Sequence, residues 1–326
     1  MSTVVSICIP THNGAHWLEG SIKSALAQTY QRLEILIVDD ASTDDTVRVA
    51  NSFHDHRIRV ERNNSNLGLV RNWNRCLTLS KGALVKFLFQ DDLLYPTCVE
   101  KMVQLFEKYP RVGMVFSPRD VRLDNQADPK AVAWKKQFGT LHTRFTSLRE
   151  VNRGKELFDQ WFAHRFARNW IGEPSCVMLR KACVERIGMF NTRMRQLADL
   201  EMWARLTYFY DVGFIEEPLS AFTFHTGSAT SLNIERGLAY LDRLWLIEGL
   251  LSYEEIRETH PQLKWLRFLE VTHGLKHRVS GRGLQGSMSV LPGPQRTLAE
   301  YLGYLLLELM HIAPPIHEKR HATQPY

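Results

Sequence analysis

At 326 residues, 44% hydrophobic and 23% charged, the chain has the apolar content for one large domain with an appendage or for two domains, which excludes a disordered chain. Its formal charge of +6 favours anionic partners such as sugar nucleotides or an acidic membrane face. No run of like charge, recognition helix or zinc-finger spacing accompanies it, so no nucleic acid partner is expected.

The first segment, Val4 to Pro10, reads as a strand and follows Met1 without the basic start, long apolar stretch and cleavage site of a secretory signal, so a cytoplasmic protein is expected. Further strands are read at Leu33 to Asp39, Ile58 to Glu61, Ala83 to Phe89 and Val112 to Ser117. Helical patterns alternate with them over Trp17 to Ala27, Thr43 to Phe53, Gly68 to Ser80 and Thr97 to Tyr109. Such alternation predicts βαβ units and a mostly parallel sheet. Ser42, with Asp45 three residues on, reads as a capping box for the second helix.

From Arg119 to Arg153 the pattern breaks into a polar, basic stretch with Trp134 and Phe138, too irregular for an element. A second block follows: Trp170 to Leu179 extended, Lys181 to Ile187 and Leu200 to Tyr210 helical, then short strands near Val212 to Ile215 and Leu219 to Phe224. Beyond a boundary placed near Ser231 the chain turns helical, and the Leu-Pro-Gly-Pro stretch at 291 to 294 sets off a last apolar helix, Leu298 to Ile312. That helix is too short to span a bilayer, which leaves packing on the body, a homodimer contact or peripheral attachment at the inner membrane face. The five cysteines, Cys8, Cys76, Cys98, Cys176 and Cys183, contain no CxxC pair, so neither a disulfide framework nor a thiolate zinc site is expected.

Two strands end in paired acids, Asp39-Asp40 and Asp91-Asp92. In open α/β sheets, ligands bind beyond the carboxyl ends of the strands, so the two pairs suggest one shared crevice with a metal and a diphosphate. The Pro10-Thr11-His12-Asn13 turn and the Asn66-Leu67-Gly68 to Arg71-Asn72 turn fall at the same edge.

In order, PTHN, VDDASTDDT, NLGLVRN and FQDD resemble the motifs of family-2 glycosyltransferases, and Gly172 to Ser175, Ala198 to Trp203 and Phe224 to Ser228 resemble the later landmarks of that family. The resemblance implies a GT-A, Rossmann-like α/β domain over residues 1–230, with a nucleotide-binding half (1–118) and an acceptor-binding half (119–230), followed by a helical region at 231–326. It implies an inverting enzyme that moves a sugar from a nucleoside-diphosphate donor, a UDP-sugar first, to a hydroxyl of a glycan or lipid-linked glycan in cell-envelope polysaccharide synthesis.

Under the same resemblance Thr11, Asp39, Arg71 and Asp91 bind the nucleotide, Asp39 accepting from the base and Asp91 from the ribose, while Asp40 serves the turn. Asp92 and His225 hold a divalent cation, Mn²⁺ or Mg²⁺, and Phe89 stands where a fuller Asp-x-Asp motif has another acid. Asp199, at the head of a helix, is the general base, with Glu173 and Glu201 as rival carboxylates. The aromatic residues Trp134, Phe138, Trp161, Phe162, Phe166 and Trp170 offer a stacking platform or, more commonly, a core. Two other classes compete: a sugar nucleotidyltransferase, whose glycine-rich first loop is not matched by Thr11-His12-Asn13-Gly14, and a non-catalytic nucleotide- or glycan-binding module.

Overall fold

The computed structural model describes residues 3–125, 128–225, 228, 233 and 239–279. Contacts divide the chain into two compact units. One comprises the chain up to Phe190 with Met202–His225, the other Asn191–Glu201 with the described residues beyond His225. The apolar stretch from Leu298 lies outside the described residues.

In the first unit the nucleotide-side elements form where the apolar runs place them. Strands β1 (Val5–Thr11), β2 (Leu33–Asp39), β3 (Ile58–Arg62) and β4 (Leu84–Phe87) alternate with helices α1 (Leu18–Leu26), α2 (Thr46–Asn51) and α3 (Leu69–Leu79). Strand β5 (Leu93–Leu94), helix α4 (Cys98–Lys108) and strand β6 (Val112–Phe116) follow. Every residue of β1 is buried, as a strand covered on both faces requires.

The period of two divides those faces. Val5, Ile7 and Ile9 of β1 and Leu33, Ile35 and Ile37 of β2 pack in one core with Leu18, Ile22 and Ala25 of α1 and with Val99, Met102 and Phe106 of α4. Cys8 turns the other way, its Sγ reaching the Cys76 carbonyl of α3 at 3.9 Å.

The eight-stranded sheet runs β3-β2-β1-β4-β9-β6-β10-β8, where β8 is Val151–Asn152, β9 Val177–Arg180 and β10 Asp211–Phe214. Strand β9 is antiparallel to both β4 and β6, and β8 is antiparallel to β10, while the remaining pairs are parallel. A second sheet has the order β5-β11-β7, with β7 at Arg119–Leu123 and β11 at Ser220–Phe224.

Three expectations are corrected. Ser42 does not cap α2, because its Oγ accepts from the Asn13 amide at 2.9 Å; the helix starts at Thr46, whose amide donates to Asp44. The stretch after Arg119 contains β7, α5 (Pro129–Phe138), a 3₁₀ turn at His142–Arg144 and β8. In β7 buried Arg119 and Val121 alternate with outer Asp120 and Arg122, so a charged residue on the inner face disguises the strand. Finally, Trp170 to Leu179 is not extended throughout, since Pro174–Cys176 forms a 3₁₀ turn before β9. Trp161, Phe166 and Trp170 are buried, Trp161 stacks on Trp170, and Phe145 and Phe158 meet the group edge-on, which makes them core rather than platform.

The remaining helices of the first unit are α6 (Gly154–Ala163) and α7 (Lys181–Ile187). Helix α8 (Ala198–Phe209) starts in the second unit, and its later turns belong to the first. The second unit contains α9 (Ala239–Leu251), α10 (Glu254–Thr259) and α11 (Gln262–Val279). Its interior is aliphatic, with Leu244, Ile247, Leu250, Ile256 and Leu263 buried. Ion pairs Arg243–Glu270 at 3.1 Å and Arg267–Glu248 at 3.2 Å tie α9 to α11. No described helix is long and apolar enough to cross a membrane.

Candidate active site

Parallel pairing sets the first row of side chains. Thr11 lies opposite Asp39 in the β1–β2 register, and Asp39 opposite Arg62 in the β2–β3 register, so three adjacent strands end in a hydroxyl, a carboxylate and a guanidinium. Asp39 is 1% exposed. Its Oδ2 accepts from the Ser42 amide at 3.0 Å and lies 3.3 Å from Arg62 Nε, while its Oδ1 is buried with no hydrogen-bond partner among the described residues. An unpartnered buried carboxylate oxygen is costly enough to call for a donor from outside the chain. Arg62 carries no motif signal; only the register finds it.

The neighbouring acid is spent on structure. Asp40 Oδ1 accepts from Asn63 Nδ2 and the Leu67 amide, both at 2.8 Å, and Oδ2 accepts from the Gly68 amide at 2.9 Å. Gly68 has φ +87°, a conformation that disfavours a side chain, so the turn into α3 needs both the glycine and the carboxylate. Buried Asn72 adds a bond to the Val38 carbonyl, 3.0 Å. Arg71, one residue before it, is exposed and makes no side-chain hydrogen bond or ion pair among the described residues.

Beyond β4 the chain turns through Gln90 and Asp91. Gln90 Oε1 accepts from Thr11 Oγ1 at 2.6 Å and from the His12 amide at 3.0 Å, which locks the first loop to the second acid pair. Gly14 makes this possible, because a Cβ there would lie 2.2 Å from Gln90 Oε1. Asp91 Oδ2 meets His225 Nε2 at 3.0 Å, with side chains 17% and 13% exposed. Strand β5 pairs antiparallel with β11, which ends at Phe224, and that register carries His225 to the acid pair. Trp17, at the head of α1, stacks on the His225 ring at 4.8 Å between centroids and fixes its plane. Sequence reasoning passed over Trp17, since an aromatic residue before a helix signals packing more often than a site.

Asp92, expected to face the cation, is turned into the fold. It is fully buried, and its oxygens accept from Ser175 Oγ at 2.6 Å and from the Thr223 amide at 3.0 Å, which fastens the second sheet to the large one. Burial, with Asp91 alongside, pushes its carboxyl well above the usual range. Ser175 also accepts from the Phe89 amide, and its carbonyl receives Lys86 Nζ, a fully buried ammonium whose pKa burial lowers.

Among the described residues no three His, Cys, Asp or Glu side chains converge as a metal cage. Asp91 and His225 form the accessible donor pair. One oxygen and one imidazole nitrogen suit Mn²⁺ better than Mg²⁺, with the remaining positions left to water or to phosphate oxygens.

The carboxylates considered for proton removal differ in availability. Glu173 is gripped by Arg119 through two bonds, 2.7 and 3.0 Å. Glu201 is fully buried. Asp199 lies in the second unit, in the first turn of α8, half-buried, with Oδ1 accepting from the Leu200 amide at 2.7 Å. Thus Thr11, Asp39, Asp91, Asp92 and His225 gather in the first unit along the carboxyl ends of its strands, with Arg71 on the adjoining helix, while Asp199 belongs to the other unit.

Comparison with known proteins adds a second line. Residues 6–169 match the family model for glycosyl transferase family 2. The chain is 36% identical over 267 residues to "Uncharacterized protein MT1568" of Mycobacterium tuberculosis, covering 81% of each chain. It is 25% identical to "Uncharacterized glycosyltransferase RP339" of Rickettsia prowazekii, over 75% of this chain and 71% of that one. Among solved structures, S. aureus TarS 1-349 in complex with UDP-GlcNAc superposes with a TM-score of 0.62 at 14% identity, covering 93% of this chain and 81% of that one. The mannosyltransferase PcManGT of Pyrobaculum calidifontis, in complex with GDP-Man and Mn²⁺, superposes with a TM-score of 0.54 at 16% identity, covering 94% and 81%.

Proposed function

The chain belongs to glycosyl transferase family 2 and is a glycosyltransferase of GT-A architecture, and on that premise we propose that it transfers a sugar from a UDP-sugar, with inversion, to a hydroxyl of a glycan or lipid-linked glycan. One observation carries the donor end of this reading: the unpartnered Oδ1 of Asp39, beside Thr11 and Arg62 and on the same sheet edge as the Asp91–His225 pair. That oxygen is an acceptor waiting for an N–H, which a uracil edge supplies. Arg71, uncommitted on α3, adds a planar fork for the base or phosphates.

Asp91 and His225 would hold a divalent cation, and Asp92 braces the turn that presents them. Bound there, such a cation would neutralise charge on the departing nucleoside diphosphate. Asp199 takes the proton from the acceptor hydroxyl. The acceptor oxygen then forms its bond to the anomeric carbon as the bond from that carbon to the diphosphate oxygen breaks, and the electron pair leaves with the nucleotide. A carboxylate is a weak base toward an alcohol, so the rate depends on placement and leaving-group stabilisation rather than on basicity. One displacement with one base inverts the anomeric centre.

Thermal shift against UDP-, GDP-, dTDP- and CDP-sugars, with and without Mn²⁺, tests the proposal. A UDP-sugar should raise the midpoint most, and only with Mn²⁺ present in full measure. A midpoint unmoved by every sugar nucleotide, or one indifferent to Mn²⁺, overturns the reading of this edge as a donor site.

A further inference from the structure

Three consecutive amides of the second unit converge on one buried oxygen. Oδ2 of Asp242, on α9 and 2% exposed, accepts from the backbone N–H groups of Arg195 at 2.9 Å, Gln196 at 2.5 Å and Leu197 at 2.8 Å. Charge-assisted bonds of this kind are stronger than neutral ones, and three on one oxygen fix three successive peptide planes.

The same face of α9 holds both flanks of that segment. Trp245, three residues after Asp242, carries the Arg193 guanidinium over its ring at 4.9 Å. Gly249, seven residues after Asp242, leaves room for Glu201: a Cβ there would lie 2.5 Å from Glu201 Oε1. Positions i, i+3 and i+7 share one helix face. Asn233 Nδ2 adds a bond to the Arg195 carbonyl, 3.1 Å. Residues 193–201 therefore form a strap seated along α9, and Asp199 lies inside it, two residues past the last amide held by Asp242.

We propose that α9 is the positioning element for Asp199, with Asp242, Trp245 and Gly249 acting through the strap to set where that carboxylate stands. This rests on the reading of Asp199 as the base, and it gives the C-terminal helices a role in turnover beyond packing. Placement is the term most exposed to small shifts, since about 1 Å of error costs on the order of 100-fold in rate.

The test uses the full-length chain and three variants: Asp242→Asn, Gly249→Ala and Asp199→Asn. Amide hydrogen exchange at residues 195–197 is measured together with nucleoside diphosphate release from the donor selected by the thermal-shift panel. Asp242→Asn should speed exchange at the three amides and lower kcat by about 10- to 100-fold, with KM for the donor unchanged, because the donor contacts lie in the first unit. Gly249→Ala, which disturbs the strap without touching a hydrogen bond to Asp242, should move kcat the same way and carries the test if Asp242→Asn does not fold. Loosened amides with unchanged kcat, or kcat and KM shifting together, overturn the proposal while leaving Asp199 as base. Turnover that survives Asp199→Asn removes the base assignment itself and the strap's purpose with it.

Discussion

The two acid pairs look alike in sequence and divide their labour in the same way, yet they finish differently. In each, the first aspartate keeps a face toward the sheet edge and the second is consumed by the fold: Asp40 by the turn into α3, Asp92 by Ser175 and Thr223. Asp39 closes β2 whereas Asp91 lies in the turn after β4, so the shared division is set by the partners that each second acid finds rather than by strand alternation. The two first acids then diverge with their neighbours. Asp39 sits beside Thr11 and Arg62 with a single oxygen lacking a donor, whereas Asp91 opens onto an imidazole. Under the proposed function, the first pair meets an N–H donor and the second a cation.

The sharpest way to break this comparison is to change Asp91. Asp91→Asn should lower Mn²⁺-dependent turnover by about 100- to 1,000-fold, the loss typical of removing one group that stabilises the charge of a transition state. Unfolding should stay within about 0.5 kcal/mol of the parent, as expected for a partly exposed side chain that meets His225. Steady-state nucleotide release and denaturant unfolding on the same preparation check both halves.

The braces should behave in the opposite sense. Asp92→Ala strands Ser175 Oγ and the Thr223 amide, and Asp40→Ala strands two turn amides and Asn63; each should cost about 2–4 kcal/mol of stability. Activity per folded molecule should fall less for Asp40→Ala than for Asp91→Asn. A stable Asp92→Ala protein that had lost only its Mn²⁺ response would return the cation to Asp92.

A smaller effect belongs to Asp39. Asp39→Asn keeps the shape but exchanges part of its acceptor capacity for a donor, so UDP affinity should weaken by about 10-fold, matching one hydrogen bond to a charged group, and Mn²⁺ affinity should not change. Isothermal titration with UDP and with Mn²⁺ separately distinguishes the two edges.

The first half of the fold was legible because its strands are apolar runs buried on both faces and its helices carry clean 3.6-residue stripes; β2 and α7 fall on the expected residues, Leu33–Asp39 and Lys181–Ile187. The site was legible as a set of strand ends. Which member of a doublet faces inward was not, because that depends on partners far along the chain: Ser175 and Thr223 choose Asp92, and the turn at Gly68 chooses Asp40. Strand β7 hid behind a buried arginine whose partner, Glu173, lies more than fifty positions away. Trp17 and Arg62 had no motif, since stacking on His225 and register against Asp39 exist only once the sheets are assembled.

The smallest effect isolates the inward acid by its proton. Burial raises the Asp92 carboxyl above its unfolded value, so between the two pKa values the folded chain binds more protons than the unfolded one. For this group, stability then falls as pH rises from about 4, the unfolded value, and levels off once the folded pKa is passed. Asp92→Asn resembles the neutral acid in shape and cannot titrate. The melting temperature of the parent minus that of Asp92→Asn should therefore shrink as pH rises from 4 to 8. A difference that grew with pH would mean that Asp92 is stabilised as an anion, with Lys86 and the Ser175 and Thr223 bonds outweighing desolvation, and would make it an electrostatic partner of the site rather than a brace.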